Sequence, residues 1–199
     1  MSVMLASDDE LMKMARWAAV ERDLHWDMAH EFVILKLHEG SLIPGTVVIF
    51  AGDIDPRDYP QMMISLALDE LVRRYDDSEE AEELRRSDPP CAFMLVVEGY
   101  GVMMPTTDAP ESEKKQFEHD RLERNFVNRP DRREVRMATI ADLNGRIATV
   151  TKYRDTGDIE ERILEPDSDE IGGRLTSALI RVAQAFGVAM RESGLWDGT

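Results

Sequence analysis

The sequence predicts a single α+β domain, an antiparallel sheet built from hairpins with amphipathic helices packed on it. Three observations predict this. Asn144-Gly145, the dipeptide of type I′ turns, separates two strand-like runs at residues 135–143 and 146–154. Residues 91–104 are the most apolar segment and read as a central strand buried on both faces. Ile171, Leu175, Ala178, Leu179, Val182, Phe186 and Met190 then recur at helical spacing. Successive hairpins make the sheet antiparallel, and the helices must cover it. One domain over residues 1–199 is expected, with 76–90 and 105–130 as exposed connections.

The elements follow in order. Ser7-Asp8-Asp9-Glu10 is a capping box, and Leu11, Met14, Ala15 and Ala18 share one face, so a helix is predicted over residues 8–24. Residues 32–37 and 46–50 are β-rich, and Glu39-Gly40-Ser41 between them reads as a hairpin turn. Pro44 and Gly45 interrupt the second of these strands, which suggests an edge position or a bulge. Asp53-Ile54-Asp55-Pro56 is turn chemistry, and Pro60 suits the first turn of a helix. Ile64, Leu68, Leu71, Val72 and Tyr75 give that helix an apolar stripe, expected to face the core.

Residues 76–88 are strongly acidic and end at Pro89-Pro90. Gly99, between Glu98 and Tyr100, marks a bulge or a close backbone approach in the central strand. A helix over 113–127 would have only Phe117, Leu122 and Phe126 as anchors. Two-residue turns at Asn144-Gly145 and Thr156-Gly157 predict a meander over 133–164. They place Arg136 opposite Tyr153, Lys152 opposite Glu161 and Val150 opposite Ile163. Ser168-Asp169-Glu170 reads as the cap of the last helix, with Gly172 and Gly173 allowing close approach to the sheet.

Composition narrows the function. The chain has 199 residues, 40 acidic against 24 basic, and a net charge of −16. Such a charge repels phosphate backbones and anionic membranes, so neither general nucleic-acid binding nor membrane docking is expected. The apolar run at 91–97 is far short of the roughly 20 residues that span a bilayer. The first residues have neither a basic n-region nor a long apolar stretch, so a signal peptide is not expected. A single cysteine, Cys91, rules out an intrachain disulfide and a cysteine-built zinc site, and suits the cytoplasm. No Walker loop, dinucleotide fingerprint, His-Glu-x-x-His or Gly-x-Ser-x-Gly occurs.

Four features carry chemistry. His25, Asp27, His30 and Glu31 could hold a metal ion, with His38 further along. The spacing opposes it: His25 and His30 are five apart rather than three or four, and His38 lies far along an extended strand. Glu98, inside the apolar run, could be a general acid or base if desolvated. A structural ion pair with an arginine of the strand at 132–136 is the favoured alternative. The basic stretch at 114–136, with Arg129, Arg132, Arg133 and Arg136, suits an acidic partner, a second copy or acidic tracts of the same chain. Residues 155–170 are acidic enough to mimic DNA, though ordinary solubility charge accounts for most such surfaces.

The motifs Glu98-Gly99-Tyr100, Asp131-Arg132-Arg133-Glu134-Val135-Arg136 and Asn144-Gly145-Arg146 carry a resemblance. Over about residues 90–155 the chain resembles small uncharacterised acidic proteins of actinobacteria and their phages. That resemblance implies an accessory protein and brings no activity. The reading expected is therefore a non-catalytic interaction or assembly protein that self-associates or binds another protein, without a cofactor. A small metal-dependent or carboxylate-based hydrolase using Glu98 with His25, Asp27 or His30 is the alternative. An acidic inhibitor of a nucleic-acid-binding protein is a third.

Overall fold

The computed structural model describes residues 5–22, 25–50, 54–75, 78–79, 88–101, 108–122, 128–168 and 173–194. Helix α1 (Asp8–Arg16) runs into a π-helical turn (Trp17–Glu21), followed by β1 (Glu31–His38), β2 (Ser41–Ile49) and α2 (Tyr59–Tyr75). Then come β3 (Pro90–Gly101), α3 (Glu111–Leu122), β4 (Arg133–Asp142), β5 (Ile147–Tyr153), β6 (Ile159–Leu164) and α4 (Arg174–Glu192). The six strands form one antiparallel sheet in the order β2-β1-β3-β4-β5-β6. This is the expected α+β architecture, with the apolar run in the interior between β1 and β4.

Side-chain alternation explains why β3 is apolar throughout. Phe93 meets Phe186 of α4 edge-on at 5.2 Å between ring centroids. Val96 lies on the other face, and the ladder carries that face through Ala138 and Val150 to Glu161, which pairs with Arg16 of α1. Thus α1 covers one face and α4 the other, with α2 packed beside α4. Cys91 is buried in this strand, its thiol pushed up to about 12 by desolvation, so it stays protonated and inert.

Local chemistry sets the hairpins. Glu39 (φ +49°) and Gly40 (φ +82°) make the β1–β2 turn, both left-handed as a type I′ turn requires. Pro44 lies on an edge strand, and the ladder shifts so that Gly45 and Thr46 together oppose Ile34, so both expectations for this segment hold.

Several expectations need correction. Three residues, not two, turn β4 into β5: the Asp142 N–H donates to the Arg146 carbonyl at 3.0 Å, and Gly145 (φ +89°) closes the loop. Asp142 Oδ1 accepts from the Asn144 and Arg146 amides at 3.0 and 2.9 Å, which fixes this longer loop and lets Leu143 enter the core. The register slips by one, so Arg136 faces Lys152 and Val135 faces Tyr153. A longer turn between β5 and β6, bonded from Tyr153 N–H to the Asp158 carbonyl, shifts that ladder by two. Val150 therefore faces Glu161 and Lys152 faces Ile159, with each strand's faces unchanged.

Gly99 is neither a bulge nor a close approach, because the β3–β4 ladder passes it without a shift and a Cβ there would meet nothing within 4 Å. The first helix widens after Arg16 into the π turn, which turns Trp17 outward while Ala18 and Ala19 stay buried. Leu24 lies outside the described residues. Part of the stretch at 105–130 is helical, as α3, with Phe117 buried as an anchor; the side chains of Leu122 and Phe126 lie outside the described residues. The last helix starts at Arg174 behind Gly173 (φ +90°), which has no side chain to cap with; Ser168 sits in an earlier turn. A Cβ at Gly173 would meet nothing within 4 Å, so its role is the positive φ and not close approach. Ile171, Gly172 and most of the acidic tract at 76–88 lie outside the described residues.

The largest correction concerns α2. Ile64, Leu68 and Val72, expected in the core, are 41%, 54% and 64% exposed. The buried face is Tyr59, Met63, Ala67, Glu70 and Arg74, spaced 4, 4, 3 and 4 apart, which is as helical as the apolar stripe. Arg74 Nε donates to Glu70 Oε1 at 3.1 Å, and the pair is buried together.

Two substitutions check the turn assignments by urea unfolding. Glu39→Asn should stabilise by about 0.5–1 kcal/mol, since asparagine tolerates the left-handed region. Gly145→Ala should destabilise by about 1 kcal/mol, because φ is positive and a Cβ would press on the Gln184 side chain.

Candidate functional site

The sheet ends unevenly. β1 pairs with β3 only as far as Glu31 opposite Val96, so Val97 to Gly101 run on beyond it. The segment at 25–30 folds across this overhang and leaves a cleft of about 300 Å³. Trp26, Asp27, Met28, His30, Glu98, Gly99, Tyr100, Glu134, Val135 and Arg154 line it. Three candidates from the sequence, Asp27, His30 and Glu98, thus meet in one place.

Glu98 organises the cleft. Its cross-strand neighbour is Arg136, 2% exposed, whose Nε donates to Glu98 Oε1 at 2.7 Å and whose terminal nitrogen reaches the same oxygen at 2.5 Å. The other oxygen accepts the Asp27 and Met28 amides at 2.6 and 3.2 Å. Four contacts match the four lone-pair sites of a carboxylate. Asp27 adopts φ +70°, a conformation disfavoured for a residue with a Cβ, and it helps aim these consecutive amides at one anion.

Arg136 also donates to the His25 carbonyl at 2.7 Å and lies over the Trp26 ring at 4.8 Å. Arg154 approaches the same ring at 5.3 Å while bridging Asp27 and Glu134 at 3.2 and 3.1 Å. These carboxylates, the Asp27 hydrogen bond foremost, hold the Arg154 guanidinium above its ordinary pKa. A carbonyl only accepts, so His30 Nε2, 2.8 Å from the Glu98 carbonyl, carries a proton. In the neutral ring Nδ1 then accepts from the Tyr59 hydroxyl at 2.7 Å. Tyr59 stacks on Phe50, and burial raises its hydroxyl pKa.

The other candidates lie elsewhere. The His25 ring does not line the cleft, and His38 is at the far end of β1, where Asp88 at 2.6 Å raises its pKa. Among the described residues no group of three His, Cys, Asp or Glu side chains could hold a metal ion.

The basic strand meets acids of its own chain. Arg129 joins Asp120 of α3 at 3.0 Å to Asp131 at 2.7 Å, and it holds the Asp131 carboxyl below its usual range. Arg133 spans Asp155 and lies over Tyr153 at 3.9 Å, with Asp155 likewise lowered. Arg132 covers Tyr100 at 4.6 Å.

Sequence reasoning missed Trp26, Tyr100 and Arg154 as cleft residues. It also missed three further pairs: Arg22 with Glu31, Arg74 with Glu70, and Arg146 with Asp142. Only Arg74 with Glu70 carried a signal, an acid and an arginine four apart on one helix. What the cleft can do is limited by saturation: Glu98 bonds Arg136, Arg154 bridges Asp27 and Glu134, and the His30 ring bonds the Glu98 carbonyl and the Tyr59 hydroxyl. No protein-family model, no curated protein and no solved structure matches the chain.

Arg136→Met strands a nearly buried carboxylate and should cost about 3 kcal/mol in urea unfolding. Adding Glu98→Gln should recover part of that loss. Glu98→Gln alone should also lower stability, since it removes the charge that Arg136 and two amides hold, whereas replacing a catalytic Glu98 would leave stability unchanged or raise it.

Proposed function

We propose that this is a non-catalytic interaction protein that self-associates, an accessory protein of the cytoplasm. One observation carries the reading: α2 buries an ion pair and turns Ile64, Leu68 and Val72 outward. A solvent-facing stripe of three large aliphatic residues beside an apolar groove is what contact surfaces have and isolated monomers seldom keep. The cleft supports the non-catalytic half, since a working acid or base needs a position open to substrate and Glu98 has none. No helix among the described residues is long and apolar enough to cross a membrane.

The strand arginines serve as internal fasteners here, with Arg129 and Arg133 tying α3 and the β5–β6 turn to β4. Association through apolar surface should survive salt, whereas association through arginine and acid should not. Light scattering after size exclusion at low and at high salt tests this. A particle of two or more chains at both is expected, and a single chain at both would overturn the proposal.

A further inference from the structure

We infer that the α2–α4 face joins two copies of this chain about a two-fold axis. The ridge of Ile64, Leu68 and Val72 in each copy lies against the α2–α4 groove of the other, and Asp69 of one meets Arg181 of the other. This rests on the self-association reading above and names its surface.

The shape comes first. Residues four apart stand above one another, so the ridge is about 12 Å long at 1.5 Å per residue. Ile64 and Leu68 of the ridge also form one wall of an open groove of about 280 Å³ between the helices, with Ala185 and Phe186 on its far side and Arg181 at its rim. Ridge and groove lie on one molecule side by side, which is the condition for a closed two-fold contact in which each copy gives and receives. At 17 residues, α2 is about 25 Å long, and two helices about 10 Å wide present roughly 500 Å² of footprint. Doubled over two copies and enlarged by side-chain relief, this reaches the range of about 1,200 Å² where specific interfaces begin.

Charge selects the same surface. Two chains of −16 repel, so they should meet where that charge is absent. Leaving out the buried Glu70 and Arg74, the two helices carry Arg73, Arg174, Arg181 and Arg191 against Asp69 and Glu192, and 4 − 2 gives +2. Asp69 adjoins the ridge at Leu68, and Arg181 adjoins the groove, so opposite charges face each other twice across the axis. Arg181 spends its Nε on the Ser177 carbonyl at 3.2 Å, which leaves the end of its fork to reach outward.

Another exposed apolar surface, Ile43, Val47 and Ile49 on β2, is less suited to a second copy. Its strand carries Pro44 and the bulge at Gly45 and Thr46, both of which oppose strand-to-strand pairing.

Sedimentation equilibrium of the full chain and of variants is the test. The wild type should have the mass of two chains. Leu68→Glu, and the milder Val72→Lys, should give one chain with an unchanged circular dichroism spectrum. Asp69→Arg should weaken the dimer by about tenfold or more, the scale of lost charge pairs, and adding Arg181→Asp should restore it. A single-chain wild type overturns both this inference and self-association. A two-chain wild type that ignores Leu68→Glu and Val72→Lys, but falls apart with Ile49→Glu, overturns this face and leaves self-association standing. Failure of the double swap to restore the dimer overturns the pairing of Asp69 with Arg181.

Discussion

α2 is rotated so that the ion pair of Glu70 and Arg74 lies buried beside Met63 and Ala67, and the outward character of the molecule follows from that rotation. Burying either charge alone would be prohibitive, and once buried together neither can leave without stranding the other. At 100° per residue, the side holding Met63, Ala67, Glu70 and Arg74 lies roughly 130° from the one holding Ile64, Leu68 and Val72. Turning the pair inward therefore turns the larger aliphatic residues to water. An isolated domain gains nothing from that arrangement, whereas a domain that meets another surface does.

The same pairing rule runs through the rest of the fold. Glu31 with Arg22, Asp142 with Arg146, Asp120 with Arg129 and Glu98 with Arg136 each place a largely buried carboxylate against a guanidinium. They join segments that apolar packing alone would leave uncommitted: the strand ends, the hairpin turn and α3. A chain of −16 spends many of its arginines in this way, and its basic strand ties α3, the β5–β6 turn and β3 to β4.

Much of the fold was legible because hydrophobic period and turn chemistry are local. Glu39-Gly40, the central apolar strand and the face of α4 bearing Leu179, Val182 and Phe186 could be read from spacing alone. Register was less so. Asn144-Gly145 suggests a two-residue loop, but Asp142 two positions earlier binds the loop amides and adds a third. A side chain recruited from outside the dipeptide decided the matter, and turn propensity does not count it. The orientation of α2 was misread for a related reason: two stripes with helical period coexist, and hydropathy alone ranks the aliphatic one as core. Of the site, the cross-strand pairing of Glu98 with an arginine of 132–136 was legible, whereas the arrival of Trp26, Asp27 and Arg154 depends on how residues 25–30 cross the sheet's end.

Amide hydrogen exchange measured across a range of protein concentrations tests most directly whether the outward face of α2 is a contact between copies. Exchange within residues 59–75 and 174–192 should slow as concentration rises, while residues 41–49 of the edge strand keep one rate throughout. Rates in both helices that do not change with concentration, or protection that appears at 41–49 instead, would contradict the account.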